Sequence, residues 1–502
     1  MTNIISYIIA FVLYLGLMVF IGLRAMKKNN SATDFFLGGR NVGPWTTALS
    51  AEASDMSGWL LMGLPGLAYL GGMKEAFWTA VGLAAGTYLS WLIVAKPLRK
   101  CTIAFGNSIT IPEFFTNRFK DKSHIIATIT VIFSVLFFTI YVASGLVACA
   151  KLFNSVFGLE YHVGLVIGLV VILSYTIMGG YLAVCKTDFI QGTLMIVALI
   201  ITGIAVTALL GGWTPAFDKV NVFTQNALNG KFGEELKKAV AGNQSYGASS
   251  IISAVVWGLG YFGMPHFIIR FMGIRSNKEV KISRRIAIVW VIIALGTAVL
   301  VGTLGTAFLT EPLSVSGAET VFSVVMQKIF PPFIAGIFLC AILAAAMSTA
   351  DSQLLVASSS FSQDVYKGLI KKNASEKEIL TVSRITVFVV AAIAFCLSLD
   401  QSSSIFSLVS YAWAGFGGTL GPIILLALFW RGTTRNGALA GLVCGGVTVI
   451  LWHNLKGGLF DLYEILPAFI ICGVVAFVVS LLDKNKDPEM LAEFDKYKKL
   501  ED

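Results

Sequence analysis

Charged residues are scarce in this sequence of 502 residues. Asp, Glu, Lys and Arg make up 13% of the chain, hydrophobic residues make up 56%, and the mean hydropathy is +0.80. Soluble domains average about 25% charged residues, so a water-facing globule is excluded. The hydrophobic residues come in blocks of about 20 between short polar stretches, which is the length of a helix that spans a bilayer core.

Histidine and cysteine are also few, and their spacing argues against an enzyme. The four histidines are scattered, with no nucleophile–base or metal-ligand spacing. The seven cysteines form no C-x-x-C pair, and most lie in apolar runs, where cysteine packs as a small hydrophobic residue. We therefore expect no enzymatic activity and no organic cofactor. We also expect no cleavable signal peptide, because residues 1–3 carry no basic n-region.

The apolar blocks predict thirteen membrane spans. Helices are expected because each backbone group in lipid must be satisfied within its own segment. The sequence thus predicts an all-α polytopic membrane protein, with one transporter domain over residues 1–483 and a charged tail over 484–502. The predicted spans cover residues 3–24, 44–70, 75–95, 125–152, 160–184, 189–213, 248–272, 286–310, 331–358, 379–400, 403–430, 435–455 and 462–483.

Basic residues divide unequally between the two sets of alternate loops. Of the 37 Lys and Arg residues, 29 fall in one set, which includes Arg24, Lys186 and Arg270, and 8 fall in the other. Cytoplasmic loops carry the basic excess. The N-terminus is therefore predicted outside and the C-terminus in the cytoplasm, which agrees with an odd number of spans.

The second predicted span, TALSAEASDMSGWLLMGLPGLAYL, is a poor helix. It places Glu52 and Asp55 at membrane depth and carries Gly63, Pro65 and Gly66. A carboxylate at the centre of a span costs roughly 2.5–3.5 kcal/mol on insertion scales. The clustering favours a discontinuous helix whose free carbonyls and half-helix ends bind a cation and a solute. The alternative is a buried acid that is paired for structural reasons.

The seventh predicted span is interrupted as well. Breaks in two spans that lie five apart suggest two five-span halves, about 44–213 and 248–430, related as an inverted repeat with the site where the broken helices meet. The alternative is a kinked helix with an aromatic core. The interrupting residues are Gly258, Gly260, Gly263 and Pro265, and the aromatic residues among them are Trp257, Tyr261 and Phe262.

The ninth predicted span combines small and hydroxyl residues. The run of alanines at 344–346 permits close backbone approach. Ser348 and Thr349 follow it and offer oxygen ligands to a hard monovalent cation. On their own, such hydroxyls usually bond back to their own helix.

These stretches together resemble the sodium:solute symporter family, and within it the proline branch. The resemblance extends from the second span to the twelfth. It implies a LeuT-type fold with thirteen spans, Na⁺ as the coupling ion and a location in the bacterial cytoplasmic membrane. The matching stretches are LSAEASDMSGWLLMGLPG, LFFTIYVASGLVA, WGLGYFGMPH, AILAAAMST with SQLLV, and LVSYAWAGFGGTLGP followed by RNGALAG.

The resemblance also implies site residues. Asp55 matches the acid on which sodium coupling depends. The expected sodium ligands are the carbonyls of Ala53, Met56 and Ala345 and the hydroxyls of Ser348 and Thr349. The expected substrate pocket contains Asp55, Ser57, Gly58, Trp59, Tyr141, Trp257, Tyr261, Phe262 and Pro265. For gating or coupling the resemblance implies Arg40 at the cytoplasmic mouth and Asp188 at the start of the sixth span. Glu52, the second acid of the second span, is a further candidate that the resemblance does not supply.

Two positions depart from the proline branch. Glu52 stands where that pattern has a glycine, and Met264 stands where it has a glutamine. A second carboxylate beside Asp55 is expected to change ion affinity or add proton sensitivity, and Met264 bears on substrate selectivity.

The resemblance implies sodium-driven uptake of L-proline by alternating access. The first alternative is sodium symport of another solute, such as pantothenate, a short monocarboxylate or another amino acid. A channel fits less well, because clustered breaks in two helices suit alternating access better than a continuous pore. A sensor also fits less well, because only about 20 residues follow the last predicted span.

Overall fold

The structure, a computed structural model, describes residues 2–26, 32–242, 246–484 and 486–499. Within these residues the chain is helical and contains no β-strand. A single isolated bridge pairs Val42 with Ile274. The predicted all-α class is therefore confirmed.

The described residues form twenty-one α-helices with short 3₁₀ and π segments between some of them. In chain order the α-helices are α1 Thr2–Met26, α2 Ala32–Leu37, α3 Pro44–Gly58, α4 Leu64–Gly71, α5 Met73–Leu89, α6 Ala95–Ala104, α7 Ile111–Arg118, α8 Ile125–Phe157, α9 Tyr161–Leu209, α10 Trp213–Leu228, α11 Glu234–Gly242, α12 Ala248–Val255, α13 Pro265–Gly273, α14 Asn277–Phe308, α15 Val321–Ile329, α16 Pro332–Ser360, α17 Glu376–Leu397, α18 Ile405–Phe429, α19 Arg435–His453, α20 Ile465–Leu482 and α21 Pro488–Lys499.

Ten helices in the described part of the chain are long and apolar enough to cross a membrane, or eleven when the bent pair Ala248–Phe262 and Pro265–Gly273 counts as one span. The predicted second span is divided between α3 and α4, and the predicted fifth corresponds to a shorter apolar helix, Tyr161–Ser174. Helix length and composition therefore do not confirm the predicted count of thirteen.

The boundary between the predicted fifth and sixth spans is wrong. Helix α9 continues through both, with a kink at Gly180, where φ is +62° and ψ is 179°. Asp188 consequently lies inside the helix rather than at the start of a span. The physical reason is that glycine reaches positive φ without a steric cost, so the chain changes direction there without a polar loop.

Two segments that the predicted spans leave out are helical in the structure. The segment between the predicted sixth and seventh spans contains α10 and α11. The tail predicted over 484–502 contains α21, and residues 485 and 500–502 of this tail lie outside the described residues.

Polar residues are gathered in the interior and apolar residues face outward, as a lipid solvent requires. Helix α3 packs against α9, α14 and α16, and buries Ser50, Glu52, Ser54 and Asp55 in these contacts. Helices α1, α17 and α20 lie at the periphery, and large side chains such as Phe388 of α17 are exposed there. The broken second span therefore lies in the centre of the bundle.

Glycines permit the closest contact between the third and seventh spans. A Cβ added at Gly86 would lie 2.2 Å from the carbonyl oxygen of Gly258, and one added at Gly258 would lie 2.3 Å from the carbonyl oxygen of Gly82. Small residues at such spacing let helix backbones touch within a membrane. This contact positions the interrupted part of the seventh span.

We expect Gly86→Val to separate α5 from the seventh span and to cost about 3 kcal/mol of stability through overpacking. The measurement is the thermal unfolding midpoint of the purified protein in detergent. Gly296→Val in α14 is the matched control, because a Cβ at Gly296 meets nothing within 4 Å. Equal midpoints for the two variants would contradict the close contact.

Candidate functional site

The second span breaks at Ser57. This residue has φ +50° and ψ −172°, and a π-helical segment, Trp59–Gly63, leads from it into α4. A positive φ in a residue other than glycine costs of order 1–3 kcal/mol and is maintained only by its surroundings. The hydroxyl of Ser57 accepts a hydrogen bond of 3.1 Å from the backbone N–H of Trp59. The predicted discontinuity is present and is centred on this residue.

Helix α8 packs directly against the break. A Cβ added at Gly58 would lie 2.7 Å from the Cβ of Ala148, so only glycine fits at this approach. Seven residues before Ala148 in α8, the hydroxyl of Tyr141 donates a hydrogen bond of 3.0 Å to the backbone carbonyl of Asp55. The opening in the second span is thus supported from α8.

The seventh span breaks between a 3₁₀ segment, Val256–Phe262, and α13, and its two parts meet at 43°. Met264 is extended, with φ −76° and ψ 104°, and Pro265 follows within the first turn of α13. Proline is suited to this position because its missing N–H has no partner in a first helical turn. A Cβ at Gly263 would lie 2.3 Å from the carbonyl oxygen of Phe416, so the break lies against α18.

Oxygen atoms from α3 and α16 converge beside the first break. The hydroxyl of Ser348 donates to the carbonyl of Ala53 at 2.8 Å and lies 3.2 Å from the carbonyl of Ala345. The adjacent Thr349 hydroxyl is buried and has no hydrogen-bond partner among the described residues. The carbonyl of Met56 accepts from the Trp59 N–H of its own span. The structure therefore brings three of the five expected ligands within hydrogen-bonding distance.

This group of oxygens suits a hard monovalent cation. Hard cations take oxygen ligands, including backbone carbonyls. Each of the converging atoms is uncharged. The Thr349 hydroxyl oxygen, which has no described hydrogen-bond partner, lies on α16 next to Ser348. A cation held here would add a second link between α3 and α16, which pack against each other and are joined at this point by the hydrogen bond from Ser348 to Ala53.

Asp55 connects the two broken spans. Its Oδ2 accepts a hydrogen bond of 2.6 Å from the hydroxyl of Tyr261, which belongs to the 3₁₀ segment of the seventh span. Its Oδ1 is buried and has no hydrogen-bond partner among the described residues, and the residue is only 2% exposed. Leaving a buried charged oxygen unsatisfied is costly, so this atom is the natural attachment point for a cationic ligand.

Aromatic rings enclose the space next to the two breaks. The ring of Trp257 lies 5.4 Å from Trp59 and 5.3 Å from Phe406, and the ring of Tyr261 lies 5.0 Å from Trp413. Phe262 is the exception among the expected pocket residues, because its ring faces Phe469 of α20 at 6.4 Å. We call the enclosing set the aromatic group: Trp59, Trp257, Tyr261, Phe406, Trp413 and Tyr463.

A cavity of about 620 Å³ opens beside the aromatic group. Trp257, Phe406 and Tyr463 line its inner end, and Glu75 and Lys238 line it further out. A small solute in this cavity would contact the rings of Trp257 and Phe406.

Glu52 and Asp55 occupy one helix but have different partners. Glu52 is fully buried, and its Oε1 accepts a hydrogen bond of 3.1 Å from the indole N–H of Trp91. Trp91 lies in a π segment of the third span and its ring contacts Phe271 at 4.6 Å. Oε2 of Glu52 has no hydrogen-bond partner among the described residues. Glu52 thus contacts the third span, whereas Asp55 contacts the seventh.

Asp188 is paired with Arg270, a residue predicted from the sequence to be a loop charge. That placement of Arg270 is wrong, because its side chain is 1% exposed within α13. Its Nη2 lies 3.1 Å from Asp188 Oδ2 and 2.6 Å from the hydroxyl of Ser352, and its Nε donates to Ser50. A buried cation requires such partners, and they come from α9, α16 and α3. We call these four residues the Arg270 network.

Arg40, which precedes α3, hydrogen-bonds to residues of two other segments at the same end of the bundle. Its guanidinium donates to the carbonyls of Met272 at 2.8 Å and Ser108 at 2.7 Å, and to the side chain of Asn107. Alongside it, the N–H of Val42 donates to the carbonyl of Gly273. Arg40 therefore joins the segment before α3 to the linker after α6 and to the end of α13.

Several residues of the site were missed by sequence reasoning. Arg270 could have been found from its position five residues after Pro265 in an otherwise apolar stretch. Phe406, Trp413 and Tyr463 carry no local signal, because aromatic residues are ordinary in apolar spans. Trp91 and Ser352 are likewise recognisable only from their spatial partners.

Several known proteins resemble this chain in sequence over nearly its whole length. The model of the sodium:solute symporter family matches residues 35–445. The sodium/proline symporter of Escherichia coli strain K12 is 44% identical over 492 residues, which cover 97% of this chain and 95% of the relative. The high-affinity proline transporter PutP of Bacillus subtilis strain 168 is 43% identical over 482 residues, which cover 96% and 99%.

Solved transporters show the same architecture. A Na⁺-coupled sialic acid symporter in a substrate-bound outward-open state superposes with a TM-score of 0.76 at 21% identity, covering 95% of this chain and 98% of that one. MhsT in complex with L-phenylalanine gives 0.52 at 14% identity, covering 88% and 98%. These likenesses show a fold of the LeuT type, as predicted. Because the family model matches most of its length and its relatives are more than 40% identical to it, the chain belongs to the sodium:solute symporter family.

Proposed function

We propose that this protein takes up L-proline together with Na⁺ by alternating access. The observation that carries the proposal is the convergence of the Ala53 and Ala345 carbonyls on Ser348, next to the Asp55–Tyr261 bond that joins the two broken spans. Ion and solute sites that share one broken helix are coupled, because each ligand stabilises the same arrangement of that helix.

The proposed sodium site uses the five oxygens that the family resemblance implies. Ala53, Ala345 and Ser348 already lie together, and Thr349 has an unsatisfied oxygen. Binding of Na⁺ would turn the Ser348 hydroxyl so that its oxygen lone pairs, rather than its proton, face the ion. Met56 would join when its carbonyl leaves the Trp59 N–H. The ion would then hold α3 against α16.

The proposed proline site lies between the breaks. The secondary ammonium of proline pairs with Asp55 Oδ1, the oxygen without a partner. The carboxylate faces the N-terminal end of the half-helix that begins near Trp59, where the helix dipole favours an anion. The buried indole N–H of Trp59, which also has no described partner, is a second donor. The pyrrolidine ring then packs on the rings of Trp257 and Tyr261.

The relatives support proline as the solute. The Escherichia coli protein is named a sodium/proline symporter, and the Bacillus subtilis protein a proline transporter. We further propose that the halves 44–213 and 248–430 form the inverted repeat and rock about the site. In this proposal, Arg40 and the Arg270 network hold the cytoplasmic end during outward opening, and the C-terminus lies in the cytoplasm, as the distribution of Lys and Arg predicts.

The test is uptake of radiolabelled proline into proteoliposomes, with sodium and proline varied independently. Concentrative uptake that requires an inward sodium gradient is the expected result. If proline does not accumulate while pantothenate, a short monocarboxylate or another amino acid does, the solute is wrong but the symport remains. Flux that never exceeds equilibration in any gradient would instead indicate a channel.

Tyr261→Ala is expected to raise the proline concentration for half-maximal uptake by at least about tenfold, because it removes both a ring wall and the hydrogen bond to Asp55. Tyr261→Phe, which keeps the ring, separates these two contributions and is expected to have the smaller effect. For both variants the measurement is proline uptake as a function of proline concentration at saturating sodium. A variant that alters only the sodium dependence would show that the pocket is placed wrongly.

A further inference from the structure

A groove on the outer surface of the bundle lies between α1 and α9, next to the first turn of α3. Its volume is about 610 Å³. Apolar side chains from both helices line it, namely Phe20, Ile21, Phe189 and Ile190, and Phe20 is 59% exposed. The groove therefore faces the acyl chains of the bilayer rather than another helix of this protein.

Two basic residues lie at one end of the groove. Arg24 is in the last turn of α1, and Lys186 follows the kink of α9. Thr46 of α3 lies beside them and adds a hydroxyl. None of the lining residues is acidic, and neither Arg24 nor Lys186 takes part in an ion pair recorded among the described residues.

The position of the groove corresponds to the headgroup level of one leaflet. Arg24, in the last turn of α1, and Lys186, after the kink of α9, both belong to the larger of the two sets of basic residues, which indicates the cytoplasmic end of the bundle. The neighbouring Trp45 is 61% exposed, and exposed tryptophan is enriched at the boundary between acyl chains and headgroups. The groove thus offers positive charge at headgroup depth and apolar walls below it.

A second groove on α9 provides an internal comparison. It is lined by apolar, glycine and threonine residues, among them Ile204, Trp213 and Leu300, and it contains no charged side chain. Lipid chains can lie in both grooves, but only the one with Arg24 and Lys186 can select a headgroup by charge.

We propose that the groove between α1 and α9 binds an anionic phospholipid, with its phosphate between Arg24 and Lys186 and its chains along Phe20 and Phe189. Basic pockets between helices at the cytoplasmic side recognise such headgroups. The lipid reinforces a contact that the protein already makes between α1 and α9, where the side-chain amide of Gln191 donates to the Tyr14 hydroxyl at 2.9 Å.

The test uses the full-length protein in phosphatidylcholine nanodiscs titrated with phosphatidylglycerol, with retained lipid counted by native mass spectrometry. The unchanged protein is expected to retain phosphatidylglycerol over phosphatidylcholine. Arg24→Gln/Lys186→Gln is expected to weaken retention about 30-fold, as two interfacial charges predict. The matched control is Lys377→Gln/Arg384→Gln, which removes two exposed charges from the same end of the protein but outside the groove.

An equal loss in the control pair, or no loss in the groove pair, would overturn the proposal. Displacement of the lipid by soluble glycerol phosphate at equal concentration would show a phosphate site instead. Sodium-dependent proline uptake by the groove pair shows that the variant is folded. If it is not, a headgroup-labelled photoreactive phosphatidylglycerol decides the question on the unchanged protein. Crosslinks are expected in 20–24 and 186–190, and crosslinks elsewhere only would contradict the site.

Discussion

The Asp55→Asn variant is expected to need about 100-fold more sodium for half-maximal uptake than the unchanged protein. Asparagine keeps the shape of the side chain and an acceptor for the Tyr261 hydroxyl, so the main change is the loss of one negative charge. At a separation of about 5 Å and an effective dielectric constant of about 20, such a charge stabilises a cation by about 3 kcal/mol. The neutral oxygens around Ser348 cannot replace this contribution.

Glu52→Gln is the matched control for that experiment, because it removes a buried carboxylate one helical turn away. Glu52 bonds to Trp91 of the third span rather than to Tyr261. We expect its sodium requirement to change by less than about threefold. Equal shifts in the two variants would mean that the coupling acid is misassigned. If Asp55→Asn changes only the proline concentration for half-maximal uptake and not the sodium concentration, the Asp55 carboxylate interacts with the proline ammonium and not with the ion.

The parts of the fold that could be predicted are those with a local signature. The breaks in the second and seventh spans were visible because glycine and proline weaken a helix wherever they stand. Ser57 itself was within the expected region, although its positive φ was not foreseeable, since a serine reaches that conformation only when packing around Gly58 and Tyr141 imposes it.

The parts that could not be predicted depend on partners distant in sequence. Arg270 resembled a loop charge because its neutralising carboxylate, Asp188, lies 82 residues earlier. Phe406 belongs to the aromatic group only because the start of α18 is brought over Trp257, which no feature of residues 403–430 announces. The count of thirteen spans is not confirmed, because the second span is divided between α3 and α4 and the fifth is the short helix Tyr161–Ser174, so neither is long enough to be identified as a span by length and composition.

The Arg270 network yields the largest expected effect on stability. Arg270→Gln leaves Asp188 fully buried with only the Ser50 hydroxyl as a described hydrogen-bond donor. Removing one partner of a buried ion pair typically costs 3–5 kcal/mol, because the remaining charge is uncompensated. We expect a marked fall in the thermal midpoint in detergent and loss of uptake. Arg275→Gln, which removes a cation from an exposed pair with Glu279 in the same region, is expected to leave the midpoint nearly unchanged.

The double variant Asp188→Asn/Arg270→Gln distinguishes a structural role from a functional one. Two neutral amides of similar size can hydrogen-bond to each other and to Ser50 and Ser352, so we expect the midpoint to recover most of the loss. If stability recovers and uptake does not, the charges themselves are needed as α3, α9, α13 and α16 move against one another during transport. If uptake recovers with stability, the pair only holds these helices together. A double variant as unstable as Arg270→Gln would contradict the pairing, because the cost would then not arise from an unpaired Asp188.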